Sequence, residues 1–378
     1  MRLCPDLRSV HAVHLGSEGY ERHRPEHTLL YQVVAEHWPA FREQAELSGG
    51  LPRFVTEESE AYLRCGRLEH GGLRLACERC GHRRVVAFSC KRRGICPSCV
   101  GRRMNDLASH LVDHVLPEAP VRQWVCTLPF GLRALCGYDR KLCAAVLGAF
   151  VQVVHQSYRR RAKQALGLGS IEDAHPGSVT FVQRFDSALR LSVHAHTLCL
   201  DGVYVERPAG LKFKALGAPA PADVQWVAER TARRVARICE RMGRAFEGPD
   251  VDDDALVAEQ PVLASCYAAS AWGQGALRLV ASPSRPSSSK RLVAEVAGVN
   301  VHADVVVDGR DRARLERLCR YLARPAVAQD RLSRLDDGRL RYRLKRAWSD
   351  GTHSVALAPQ DFIARLVALV PAPRFHMI

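Results

Sequence analysis

Apolar residues recur at two different spacings along this chain of 378 residues, and the spacing changes from region to region. Behind His23-Arg24-Pro25-Glu26-His27, Thr28 stands as a helix N-cap, and Leu29, Leu30, Val33, Val34 and His37-Trp38 follow at helical intervals. Pro39 is expected to end or kink that helix. Residues 65–99 are rich in Cys and Gly, with a strand-like run at Arg84-Val85-Val86-Ala87-Phe88, and a helix is expected from Arg102 to Val115. From residue 121 the texture turns to strands. Val121–Leu128 reads as one, closed by Pro129, before a long helical stretch from Tyr138 to Leu166. Val179–Phe185 and Leu189–Leu200 are β-rich runs joined by Asp186-Ser187-Ala188, which predicts an antiparallel hairpin, and Asp201-Gly202 turns into Val203-Tyr204-Val205. Residues 223–246 read as an arginine-rich helix, and Pro283–Ser289 as a flexible stretch. Leu292–Val307 predicts strand-turn-strand, Arg310–Ala323 a helix that stops by Pro325, Arg339–Lys345 a strand, and Pro359–Val370 a last amphipathic helix. Strands and helices mix without a βαβ rhythm or a solenoid repeat, so the expected class is α+β.

Composition narrows what such a chain can be. It is 47% apolar and 25% charged, which excludes wholesale disorder and collagen-like structure, and its length suggests two or three domains. No uninterrupted apolar stretch reaches about 18 residues, so no membrane partner is expected. The opening Met1-Arg2-Leu3-Cys4-Pro5-Asp6 lacks the apolar core of a signal peptide, and a cytoplasmic place is expected. Lys and Arg number 55 against 40 Asp and Glu, a net charge of +15. That excess points to a polyanion, with nucleic acid the commonest; a merely soluble basic protein is the plainer alternative.

Of the 14 cysteines, six fall between Cys65 and Cys99. The rest are scattered singly and read as small buried hydrophobes. In a reducing compartment, clustered cysteines bind metal. Cys77-Glu78-Arg79-Cys80 and Cys96-Pro97-Ser98-Cys99 form two C-x2-C pairs with fifteen residues between them. Two such knuckles supply four thiolates to one tetrahedral Zn2+, a closed and therefore structural site. Cys65 and Cys90 are left over as buried or free thiols, or, with His70 and His82, as a second zinc site. Between Arg79 and Asn105 stand eight Lys and Arg and no acid. Lys91, Arg92, Arg93, Arg102 and Arg103 on a zinc-held module suit a DNA phosphate backbone, or else form a solvated surface.

His194 and His196 lie two apart in a β-rich run, so both imidazoles emerge on one face, where two histidines can hold a divalent cation. Here the sequence resembles a family. Leu191–Tyr204 looks like the His-hydrophobic-His (HUH) strand of rolling-circle insertion-sequence transposases. The run Ser89-Cys90-Lys91-x-Arg93…Cys96-Pro97-Ser98-Cys99 resembles that family's N-terminal zinc-binding domain, and Leu315–Pro325 resembles its tyrosine helix, with Tyr321 in the nucleophile's position. Pro371–His376 looks like a C-terminal stretch of these proteins. Three motifs in the right order span residues 65–325.

The resemblance implies a helical and zinc-ribbon, DNA-binding domain at 1–115. It places at 120–345 an HUH-type catalytic domain with a central antiparallel sheet flanked by helices, followed by a truncated C-terminal helical segment at 346–378. It implies cleavage and rejoining of single-stranded DNA at mobile-element ends through a 5′-phosphotyrosine, with Tyr321, His194 and His196 catalytic and Mg2+ or Mn2+ on the histidines. Gln183 is the expected third ligand, as an amide oxygen amid apolar residues, with Asp201 the alternative. Arg320 and Arg324 flank Tyr321 as DNA contacts, and Thr127-Leu128-Pro129-Phe130 resembles the first-strand motif that shapes the site. The implied location is the bacterial nucleoid, and dimerisation stays open.

Some relatives carry two tyrosines four residues apart, whereas position 325 here is Pro325. Arg190 and Ser192 stand where asparagine-like residues are expected, and relatives continue past Ile378 with further basic residues. Two other readings therefore stand beside a transposase: a non-enzymatic zinc-ribbon DNA-binding protein derived from one, and a plasmid replication initiator with the same nicking chemistry.

Overall fold

The Thr28 hydroxyl accepts the Tyr31 amide and opens helix α1 (Leu29–Leu47), which buries Leu30, Val33, Val34 and Trp38. The structure, a computed structural model, describes residues 24–208, 210–244, 254–280 and 292–378; Cys4 and the expected flexible stretch Pro283–Ser289 lie outside them. Pro39 does not end α1, which continues for two turns beyond it. Proline forfeits one backbone bond there, and the packing of Trp38 against Phe41, with ring centroids 6.1 Å apart, offsets the loss.

After α2 (Arg53–Arg64) comes an exposed antiparallel hairpin, β1 (Gly72–Ala76) and β2 (Arg83–Ala87). Helix α3 (Pro97–His110) starts five residues before the expected Arg102 because Cys96 serves as N-cap and Pro97 fits the first turn. A π-helical turn at Leu111–Val115 extends it to the expected end.

Strand β3 (Val121–Thr127) leads into α4 (Phe130–Tyr138) and α5 (Arg140–Leu166). The Asp139 carboxylate accepts the amides of Lys141 and Leu142 and so separates the two helices. The short β4 (Ala174–His175) precedes the expected hairpin, β5 (Ser178–Phe185) and β6 (Leu191–Leu200). Then follow β7 (Gly202–Arg207), β8 (Gly210–Ala215), α6 (Pro221–Arg241), α7 (Asp254–Glu259), α8 (Pro261–Trp272) and β9 (Ala276–Val280). β10 (Val293–Val296) and β11 (Val299–Val307) give the expected strand-turn-strand, and α9 (Arg312–Leu322) the expected helix, capped by Asp311. β12 (Leu332–Arg334), β13 (Leu340–Arg343), β14 (Thr352–Leu357) and α10 (Pro359–Leu369) complete the chain.

The architecture is mixed α and β. Its centre is an antiparallel sheet of order β10-β11-β3-β6-β5. One face, with Trp124, Cys126, Val193 and Ala195, packs into the larger core; the other, with Val121, Phe181, Leu198 and Leu200, meets Leu111 after α3 and Leu315, Cys319 and Leu322 of α9. A second sheet, β12-β13-β14-β9, gives the 346–378 segment a strand as well as its helix, and α10 packs on α1. Among the described residues no helix is long and apolar enough to cross a membrane.

Asp201 belongs to this scaffold. Arg122 donates to its two carboxylate oxygens from Nε at 3.0 Å and Nη2 at 2.7 Å, and the Tyr158 hydroxyl donates at 3.1 Å. Arg122 also donates to the Ala303 carbonyl at 2.9 Å, so one buried ion pair ties β3 to β11 and to the end of β6. Removing one partner of such a pair strands the other charge. Asp201→Ala is expected to cost about 3–5 kcal/mol in urea unfolding; a loss below about 1 kcal/mol would show the pair to be replaceable by water.

Candidate functional site

Four thiols converge where the N-terminal helices meet α3. The Sγ atoms of Cys65, Cys90, Cys96 and Cys99 all lie within 4.8 Å of one another. The separations are 3.6 Å for Cys65–Cys99, 3.4 Å for Cys90–Cys99 and 3.6 Å for Cys65–Cys96. Tetrahedral zinc with Zn–S bonds of about 2.3 Å needs sulfurs about 3.8 Å apart, so the cluster fits the ion. The Cys90 amide donates to Cys65 Sγ at 3.3 Å, and hydrogen bonds from Cys65, Cys90 and Cys96 hold the Cys99 thiol far below its ordinary range. Cys65, bonded to Cys90 and Cys96, is brought down to about 7, while the same shared bonds push the Cys90 and Cys96 thiols up.

This corrects the expected ligand set. Cys96 and Cys99 are in the cluster, but Cys77 and Cys80 are replaced by the two cysteines set aside as surplus. The reason is the hairpin: Ala76 pairs with Arg83, so residues 77–82 form its tip, while Gly72 pairs with Ala87 at its base. Five paired residues, roughly 17 Å of strand, separate the tip from the base. Cys65 and Cys90 flank that base, where Gly66 N donates to the Phe88 carbonyl.

On β6, His194 and His196 share a face as expected, with ring centroids 4.9 Å apart. His194 Nδ1 donates to the Ser192 carbonyl at 2.7 Å, which leaves Nε2 as the lone-pair nitrogen. Gln123 of β3 places its amide Nε2 2.7 Å from His196 Nδ1. With this end of the amide donating, the neutral ring's proton sits on Nε2; turning the amide by half a circle makes Nδ1 the donor and frees Nε2. Burial lowers the pKa of His194. Burial, and then the charges of His194, Arg324 and His302, lowers that of His196 to about 2. Both imidazoles are therefore neutral, the form that ligates a cation. His302 of β11 joins them on this face, opposite Val125 in the register that also sets His196 opposite Val125.

Gln183 lies directly opposite His194 in the β5–β6 register. Its amide Nε2 donates to the Leu322 carbonyl at 2.8 Å, in the last turn of α9, while Oε1 is buried with no hydrogen-bond partner. A buried amide oxygen left unpaired beside two neutral imidazoles is a vacant hard ligand, so the residues present fit a small divalent cation. Thr127 stands opposite His194 on the other side, which puts the start of the Thr127–Phe130 motif at the site.

Tyr321 sits on α9 with 37% of its surface exposed. The Arg324 guanidinium lies 4.1 Å from its ring centroid and Lys345 Nζ 4.0 Å from it. Arg324 also donates to the Tyr321 carbonyl at 2.7 Å. Arg320 points elsewhere, into an exposed pair with Glu316 at 2.6 Å. Of the expected DNA contacts on the zinc module, Arg92 pairs with Glu57 at 3.3 Å, Lys91 and Arg102 are exposed, and Arg93 and Arg103 donate to the carbonyls of Phe375 and Lys91. The sequence held no signal for Gln123 or Lys345: each is an ordinary polar position until β3 is registered on β6 and β13 is folded back beside α9.

Residues 177–378 match the family model described as "Putative transposase", and residues 33–128 the one described as "Transposase zinc-binding domain". A similar protein is Putative transposase y4qJ of Sinorhizobium fredii, 26% identical over 364 residues that cover 94% of this chain and 79% of that one. No solved structure matches the chain.

Proposed function

This chain belongs to the "Putative transposase" family, and we propose that it cuts and rejoins single-stranded DNA at mobile-element ends through a covalent link to Tyr321. The observation that carries the reading is Gln183, whose nitrogen is anchored on the tyrosine helix and whose orphaned oxygen lies opposite His194. One side chain thereby joins the proposed metal strand to the proposed nucleophile. The N-terminal part to residue 115, with the Cys4 cluster, would hold DNA, and 120–345 would act on it.

In the proposed reaction the Tyr321 oxygen attacks a backbone phosphorus and loses its proton. The bond from phosphorus to the 3′ oxygen breaks, and that oxygen leaves as a 3′-hydroxyl after taking up a proton. A 5′-phosphotyrosine remains, and a 3′-hydroxyl reverses the step in joining, so no nucleotide hydrolysis is required. His194, His196 and Gln183 would hold Mg2+ or Mn2+, which supplies Lewis-acid polarisation of a phosphoryl oxygen. Ser192 and Gln123 hold the two rings in place, and Arg324 and Lys345 put positive charge beside the tyrosine, where the transition state gathers negative charge.

The test uses end-labelled single-stranded oligonucleotides that contain hairpins, incubated with Mn2+. The expected result is a denaturant-stable protein–DNA adduct whose phosphodiester maps by mass spectrometry to Tyr321. A non-enzymatic zinc-ribbon DNA-binding protein would form no adduct on any such DNA. Gln123→Leu is expected to weaken Mn2+ binding about tenfold or more by titration calorimetry. Unchanged affinity would show that His196 needs no help from β3.

A further inference from the structure

A second feature lies just behind Tyr321. A cavity of about 290 Å³ opens between the zinc module, the edge strand β5, the end of α9 and the last residues of the chain. Its walls are mainly apolar, with Met104 and Leu107 of α3, Phe185 of β5 and Leu322 among them, and Gln183, Arg184 and His376 add polar groups to the lining. Its rim carries Arg93, Arg103 and Arg324. Each spends a donor on a backbone carbonyl: Arg93 on Phe375 at 3.0 Å, Arg103 on Lys91 at 3.0 Å and Arg324 on Tyr321 at 2.7 Å. None of the three forms an ion pair among the described residues. Glu58, the acid whose charge acts on Arg93, is buried and accepts the amides of Gly94 at 2.7 Å and Ile95 at 3.2 Å.

Three guanidiniums without carboxylates around an apolar hollow call for a ligand that is flat and apolar at one end and anionic at the other. A nucleotide has that form, and the volume, at the low end for ligand pockets, suits one base and not a larger molecule. Arg324 supplies the connection, its guanidinium lying over both the Phe185 ring at 5.2 Å and the Tyr321 ring at 4.1 Å. We propose that this cavity receives one unstacked base of single-stranded DNA, adjacent to the phosphate presented to Tyr321, with its backbone held by Arg93 and Arg103. The base would lie against Phe185 and Met104, as bases lie on aromatic walls in other single-strand binders. The inference rests on reading the substrate as single-stranded DNA, and it would let the zinc module and the catalytic sheet grip one nucleotide together.

The experiment uses the full zinc-loaded chain and a 20-nucleotide thymidine strand carrying one 4-thiothymidine. After near-ultraviolet irradiation, cross-links are expected on residues 100–107 or 181–185. Met104→Trp, which fills the hollow, is expected to reduce them about tenfold, and Arg103→Ala severalfold. Zinc content and melting temperature confirm folding, and Arg103→Ala decides the matter if the tryptophan variant fails to fold. Cross-links that map elsewhere, or that persist undiminished in the folded variants, overturn the proposal. Adduct formation at Tyr321 without cross-links in the cavity refutes the cavity alone; cavity cross-links without an adduct refute the cleavage reading alone.

Discussion

Tyr321→Phe is expected to abolish covalent attachment to single-stranded DNA while leaving DNA binding in place. The substitution deletes one oxygen and keeps the ring against Arg324 and Lys345, whose centroid distances of 4.1 and 4.0 Å depend on the ring alone. With Tyr321 37% exposed and Leu315, Cys319 and Leu322 carrying the packing of α9, the helix loses nothing that holds it. A nucleophile has no substitute at its position, so the rate of adduct formation is expected to fall by at least about 10³-fold. Gel-based adduct assays measure that rate, and fluorescence anisotropy at fixed salt measures binding. If the phenylalanine variant still forms adducts, another nucleophile acts and the tyrosine helix is scaffold. If binding is lost in parallel, Tyr321 is a DNA contact.

The second large effect separates two sets of zinc ligands. Cys65→Ala or Cys90→Ala is expected to release the metal, whereas the double variant Cys77→Ser, Cys80→Ser is expected to keep one zinc per chain. A closed thiolate site contributes about 10–16 kcal/mol in small zinc-dependent modules, so its loss should unfold the region from α2 to α3. Elemental analysis and circular dichroism give the answer directly. Retention of zinc by Cys65→Ala with loss in the hairpin-tip variant would reinstate the tip as the site. Because α3 packs on α9, loss of zinc is also expected to depress adduct formation.

The two outcomes trace how far the sequence could be read. Local periodicity located β6 and the shared face of His194 and His196, since alternation in a strand needs no tertiary information. It also located α9, whose caps and apolar stripe are written within twelve residues. Ligand choice in the zinc module was not legible in this way. The C-x2-C spacing makes Cys77 and Cys80 look like natural partners of Cys96 and Cys99, yet β1 and β2 carry them to the far end of a hairpin. What decides is the pairing of Gly72 with Ala87, which sets Cys65 and Cys90 together across 25 residues. The sheet β12-β13-β14-β9 was hidden for a similar reason, since β9 and its partner β14 lie some 75 residues apart. Asp201 offered a carboxylate next to the histidine strand, and only the buried Arg122 opposite shows that it is already committed.

The order of strands in the central sheet also sets the order of events while the chain is being made. β3 pairs on one side with β6 and on the other with β11, which begins about 170 residues after β3 ends. At about 5–20 residues per second on a ribosome, β3 waits roughly 9–34 s for its second neighbour. α9 follows β11 at once, so the helix bearing Tyr321 packs on the histidine face of the sheet only after most of the protein has been synthesised. On the proposed reading, a nascent chain would therefore carry its DNA-holding module before its nucleophile. On that reading, a messenger broken or halted upstream of α9 would yield a product able to occupy DNA and unable to cut it.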